Sequence, residues 1–176
     1  MTSFDQALVV GGSGMLADCS RKLLSVCKTV IVMARSESRI RAIAPDIVPL
    51  VFDYNDRDAT NALAGLSPDL VVAWIHGRMP DLRRALAAHV RASGRFVQVL
   101  GSAHGDPSQP ERLAEMRSVA DGLAVAYQAV VLGFISEGPR SRWLTNGEIS
   151  QGVFDAIESG GPLSIVGQVE PWSARP

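Results

Sequence analysis

The stretch Ala7-Leu8-Val9-Val10-Gly11-Gly12-Ser13-Gly14-Met15-Leu16-Ala17 is an apolar run that breaks on glycines and resumes as a helical pattern. A strand that enters a helix through glycines lets backbone N–H groups close on a pyrophosphate, with the partial positive charge of the helix N-terminus behind them. Gly12 and Gly14 supply the first two glycines of the dinucleotide fingerprint. Ala17 takes the third position, where the residue needs only to be small enough for helix-to-strand packing. The place of this turn, at the first strand, favours a nucleotide over the alternative of a glycine-rich turn with no ligand. About twenty residues beyond the glycines, where the adenosine ribose is read, stands Arg35-Ser36. A carboxylate there would favour a free 2′-hydroxyl, whereas Arg35 offers a cation to a 2′-phosphate, with Ser36 and Arg39 as further donors. NADP(H) is therefore expected ahead of NAD(H); the alternative is a solvated arginine at a strand end. Histidine suits proton transfer at neutral pH. His76 and His104 follow strands and can border a crevice, unless they simply bond loop backbone, while His89 falls on a helix and reads as packing or surface.

These residues need elements to position them. The spacing predicts a helix over 15–26, a buried strand over 29–34, a short helix over 36–44 and a strand over 47–52, whose Pro49 suits an edge. Further strands are expected over 70–75, 96–100, 126–135 and 163–166. Helices are expected over 80–92, 110–122 and from Thr145 to about 158, with an arginine-bearing loop over 136–142. Pro80 opens one helix and Thr145 with Glu148 has the spacing of a capping box. Strands alternating with helices call for an α/β chain: a doubly wound, mostly parallel sheet of about seven strands with helices on both faces. Ligands then bind outside the carboxyl ends of the strands.

The 176 residues suffice for one substantial core, so a single domain over 1–176 is expected. A net charge of −1 with scattered arginines gives no footprint for nucleic acid. No apolar stretch approaches a membrane span and the first strand starts almost at once, so no membrane is expected and a cytoplasmic protein is. Cys19 and Cys27 are expected on the first helix, roughly 12 Å apart along its axis and too far for a disulfide. No histidine has metal-ligand spacing to them, and no metal is expected. Trp74 and Trp143 could stack on a flat substrate or fill a core. The apolar content of the last two helices suggests a homodimer, which a monomer seen by light scattering would end.

The order of these parts resembles the short-chain dehydrogenase/reductase superfamily over nearly the whole chain. The residues that carry the resemblance are Gly11, Gly12, Gly14 and Ala17, which also fit that family's wider spacing Gly11-x-x-Gly14-x-x-Ala17; then Arg35, Asp53, Ser102 and the Leu144-Thr145-x-x-Glu148-Ile149 entry to the last helix. The resemblance implies a Rossmann-type NAD(P)-binding domain with a cofactor set of Gly11, Gly12, Ser13, Gly14, Met15, Leu16, Arg35, Ser36, Asp53 and Tyr54. Asp53 would face the adenine amino group, or else cap a helix starting near Asp56. The family also implies a serine, a tyrosine and a lysine four residues later, and here the pattern departs. The lysines are Lys22 and Lys28, the tyrosines Tyr54 and Tyr127, and no YxxxK exists. Ser102 matches the serine by place, although without those partners it also reads as a loop hydroxyl or a ligand contact. With His104 and His76 it makes the candidate catalytic set. The resemblance and the missing pair together imply an atypical NADP(H)-dependent oxidoreductase passing hydride to a small electrophilic substrate, such as a flavin, a quinone or a conjugated ring. The alternative is an inactive nucleotide-sensing or scaffold protein.

Overall fold

In the computed structural model, which describes residues 3–54, 61–77 and 79–176, the β-branched runs become nine strands. They are β1 (Phe4–Val10), β2 (Cys27–Ala34), β3 (Ile47–Val51), β4 (Leu70–Trp74), β5 (Arg95–Leu100), β6 (Ala126–Leu132), β7 (Phe134–Glu137), β8 (Arg140–Trp143) and β9 (Leu163–Val166). Seven form one sheet in the order β3-β2-β1-β4-β5-β6-β9, every neighbouring pair parallel. That is the Rossmann order, with the proline-bearing β3 at an edge as expected.

Both faces of the sheet are covered, and the period-two pleat sorts its side chains between them. Ala7, Val9, Val30, Val32, Val72, Val97 and Val130 face one side. Against them pack α1 (Ala17–Leu23), α2 (Glu37–Arg41) and α5 (Asn146–Ser159). Leu8, Val10, Ile31, Met33, Val71, Ala73 and Phe96 face the other side and meet α3 (Pro80–His89), while α4 (Glu111–Arg117) packs on Leu100, Ala129 and Val131. The apolar side chains of α5 that suggested a partner helix, Ile149, Val153, Ala156 and Ile157, are buried in the chain's own core. Among the described residues no helix is long and apolar enough to cross a membrane.

The structure corrects three expectations. The strand expected over 126–135 ends at Leu132, because Gly133 crosses the backbone of Gln168: a Cβ there would lie 2.1 Å from the Gln168 carbonyl oxygen. The arginine-bearing loop over 136–142 is an antiparallel hairpin, β7 against β8, turning on Gly138 at φ +65°. The first helix stops at Leu23, so Cys27 opens β2 instead of sharing a helix with Cys19. Both thiols are free and buried, and burial pushes each up to about 12. Asp56, the expected start of a helix, lies outside the described residues. The capping box is present at both bonds: Thr145 accepts from the Glu148 amide and Glu148 accepts from the Thr145 amide.

Candidate functional site

The glycine turn is built from its backbone. The Gly11 amide donates to Met33 O at 3.0 Å, which ties the turn to the end of β2, and Gly11 sits at φ +76° with Trp74 O 2.7 Å from where a Cβ would be. Gly12 is demanded by packing, since a Cβ there would come within 2.8 Å of both Ser20 Oγ and a Val9 methyl. Ser20, buried on α1, donates to Leu16 O and Gly12 O at 3.0 and 3.2 Å and fixes the turn from below. Ser150, on α5, donates to Met15 O at 2.7 Å and fixes it from the side. Gly14 is different. It is exposed, its φ lies outside the left-handed region, and a Cβ on it would meet nothing within 4 Å. Neither backbone strain nor packing explains a glycine there, and the position is open to the close approach of a ligand. The turn therefore fits a pyrophosphate.

Two residues beyond Met33 the chain leaves β2 at Arg35, whose side chain is 77% exposed and 4.0 Å from Asp53, just past β3. An exposed pair at that distance holds the guanidinium weakly. Ser36 caps α2, accepting from the Arg39 amide at 3.4 Å, and Tyr54 is half-buried beside Asp53. The turn, Arg35 and Asp53 thus lie at the carboxyl ends of adjacent strands, β1, β2 and β3.

Past β4, β5 and β6 the same edge opens into a cavity of about 290 Å³ lined by Trp74, Gly101, Ser102, Leu132, Gly133, Trp143, Leu144, Ile149 and Arg175. The hairpin supplies one wall. Arg142 holds it to α5 through a fork on Glu148, at 2.9 and 3.0 Å, and closes the hairpin itself with a 2.6 Å bond to Glu137. That fork, with the Thr145 bonds, holds the Glu148 carboxyl down at about 2. The C-terminal segment supplies the rim: Phe134 and Gln168 exchange backbone bonds at 2.9 Å, and the chain then brings Arg175 over the Trp143 and Trp172 rings, 5.5 and 4.8 Å from their centroids.

Of the three candidate catalytic residues, only Ser102 lines this cavity. His76 reaches it through Trp74, whose indole N–H donates to His76 Nε2 at 3.0 Å and so requires the ring proton on Nδ1. His104 turns Nδ1 toward Gly101 O at 3.2 Å, and burial, against that bond, lowers its pKa and keeps it neutral at pH 7. His89 bonds Ala85 O on its own helix. Tyr127 lies on the opposite face of the sheet. With its amide oxygen 2.7 Å from Arg83 Nε, Gln98 donates to Tyr127 Oη at 2.9 Å, and burial raises the phenol above its ordinary range. Buried Arg83 also donates to Ile75 O and Gly77 O, at 2.8 and 3.0 Å, holding the loop that carries His76.

Sequence reasoning missed Leu132, Gly133, Leu144, Ile149 and Arg175 as parts of one site. The pairing of Gly133 with Gly167 at a chain crossing was the available signal, but neither shows its partner locally.

No protein-family model matches the chain, and no curated protein sequence matches it. Solved structures do match in fold. The bulky-bulky ketone specific alcohol dehydrogenase of Comamonas testosteroni is similar with a TM-score of 0.71 at 14% identity, covering 98% of this chain and 90% of that one. A short chain dehydrogenase from Burkholderia cenocepacia in complex with NADP gives 0.65 at 18%, covering 96% and 91%. A metagenomic short-chain oxidoreductase in complex with NADP gives 0.59 at 17%, covering 94% and 98%. At these identities the likeness shows a shared Rossmann fold.

Proposed function

We propose that the chain is an NADP(H)-binding oxidoreductase of the short-chain dehydrogenase/reductase type that works without the tyrosine–lysine pair. One observation carries the reading: Gly14, a glycine that neither strain nor packing requires, stands in the turn facing the ligand edge of a Rossmann sheet. The NADP-bound structures of similar fold support it. In this reading the backbone of Gly11, Gly12, Ser13, Gly14, Met15 and Leu16 cradles the pyrophosphate, Arg35 and Ser36 take the 2′-phosphate, and Asp53 and Tyr54 border the adenine. When bound, NADPH would supply the hydride, two electrons with one proton, and solvent the second proton that reduction of a flavin, quinone or conjugated ring requires. Such acceptors delocalise the incoming charge, so they need less from a protein acid than a ketone does. Ser102 donates a hydrogen bond to the acceptor from the cavity wall. His104, in the 3-10 turn after β5, and His76, just past β4, are the nearby candidate proton donors.

The binding test is thermal shift with NADP+, NADPH and NAD+. Nucleotide at about a hundred times its dissociation constant adds about 2.7 kcal/mol of stability. Absence of any shift at millimolar nucleotide overturns the reading and leaves a scaffold. NADPH oxidation with a flavin and quinone panel then separates an enzyme from a sensor. The sensor reading is favoured by one observation, that Tyr127 is engaged by Gln98 on the far face and does not line the cavity. A second expected outcome concerns the glycines. Gly14→Val leaves stability within about 0.5 kcal/mol, because its side chain enters open space, yet weakens NADPH binding more than about tenfold by standing where the pyrophosphate must come. Fluorescence titration of NADPH against the variant reads it.

A further inference from the structure

Among the described residues the cavity has one charged lining group, Arg175, with apolar walls and a single side-chain hydroxyl. Arg142 and Arg175, among the described residues, serve this region, and their states differ. Arg142 is engaged by two carboxylates, Glu137 and Glu148. Arg175, by contrast, has its contacts in two indole rings, and among the described residues no carboxylate pairs with it. Cation–π contacts use the face of a guanidinium and leave its N–H fork available for a carboxylate in its plane. The stacking also holds the side chain in place, so that less rotamer freedom is lost when an anion arrives. All three tryptophans of the chain gather here: Trp74 and Trp143 in the wall, Trp172 behind Arg175. Trp143 remains 46% exposed, a large aromatic surface still open to a ligand.

From this we infer that the cavity takes a flat, conjugated acid of one or two rings whose carboxylate is held by Arg175. The inference deepens the proposed function by naming the acceptor class, and rests on it for the role of acceptor, though not for binding. Size, walls and charge each restrict the ligand. At about 290 Å³ the cavity stands at the small end of ligand pockets, which start near ~300 Å³. Among the described lining residues Leu132, Leu144, Ile149 and the two indoles offer mainly apolar and ring contacts, so the chief polar partners for a ligand are Ser102 and Arg175. One unpaired cation balances one negative charge. A phosphate dianion would leave a second charge facing apolar walls, which disfavours it.

The probe is trans-cinnamate against trans-cinnamamide, a pair alike in shape and different in charge, titrated calorimetrically into the full chain. Wild type is expected to bind the acid at least roughly tenfold more tightly than the amide, the effect of a charge-assisted fork. In Arg175→Gln the two should bind within about twofold of each other. Equal affinities in wild type, a preference that survives in Arg175→Gln, or no binding of either compound at millimolar concentration would each overturn the inference. Titration of NADP+ alone keeps the two readings apart. Failure of NADP+ to bind while the acid preference persists sinks the nucleotide reading and supports the anion site.

Discussion

Replacing Gly133 with alanine should lower the melting temperature by roughly 4–12 °C, the equivalent of about 2–3 kcal/mol for a domain of this size. The cause is a collision between two stretches of main chain, which has no flexible end to give. An added Cβ would lie 2.1 Å from Gln168 O and 2.7 Å from Gln168 C. Gly167, on the other side of the crossing, approaches Phe134 O closely as well, at 2.6 Å from its own notional Cβ, and sits at φ +75°. Relief requires the segment after β9 to move away from the β6–β7 junction. That breaks the Gly133-to-Val166 bond and the Phe134–Gln168 pair, all at 2.9 Å. Because this same segment carries Arg175, the variant should also lose cinnamate binding. Gly161→Ala is the control: its Cβ would have only Leu163 O at 3.9 Å for company, so stability should change by less than about 0.5 kcal/mol. Calorimetric melting of the three proteins decides the matter, and a Gly133→Ala melt within a degree or so of wild type would mean that the crossing is looser than these distances require.

Cofactor preference is expected to turn on Arg35. Wild type should bind NADP+ at least roughly tenfold more tightly than NAD+, and Arg35→Asp should reverse the order, a combined change of about a hundredfold. The guanidinium stands where the Gly11–Met33 bond places the end of β2 against the glycine turn, and its one ionic neighbour among the described residues, Asp53, is 4.0 Å away. The variant removes the fork for the phosphate and puts an acceptor beside a free 2′-hydroxyl. It also sets two carboxylates near each other, so Arg35→Ser is the companion: preference should vanish there without reversing. Equal affinity for the two nucleotides in wild type, or an unchanged ratio in Arg35→Asp, would mean that Arg35 serves only solvent and Asp53.

Local chemistry explains which parts of this molecule are legible in its sequence. Thr145 and Glu148 announce their helix because a capping box closes within four residues, and Thr29 to Ala34 reads as a buried strand because β-branching and continuous apolarity act over the same span. Phe134 and Ile135 mislead for the same reason: they prolong an apolar run, and only the backbone of Gln168, far along the chain, shows that Gly133 ends it. Cys27 reads as close to helical since no glycine or proline separates it from the helix before it. The glycine turn and Arg35 can be placed by spacing from one strand. The cavity cannot, because its walls come from β4, β5, β6, the hairpin, α5 and the tail, and no pattern within any one of them records the others.

The hydrogen bond from Ser150 to Met15 O joins residues 135 apart in sequence. Seen in time, the glycine turn is synthesised well before the helix that completes it. Its outer carbonyl lacks this donor until α5 has been synthesised and docked, which at ordinary elongation rates is on the order of ten seconds later. Closure over that many residues also places this contact among the slow, non-local events of folding. A nascent chain therefore carries the glycines long before it carries the shape, and the nucleotide of the proposed function would find the turn unfinished until α5 has docked.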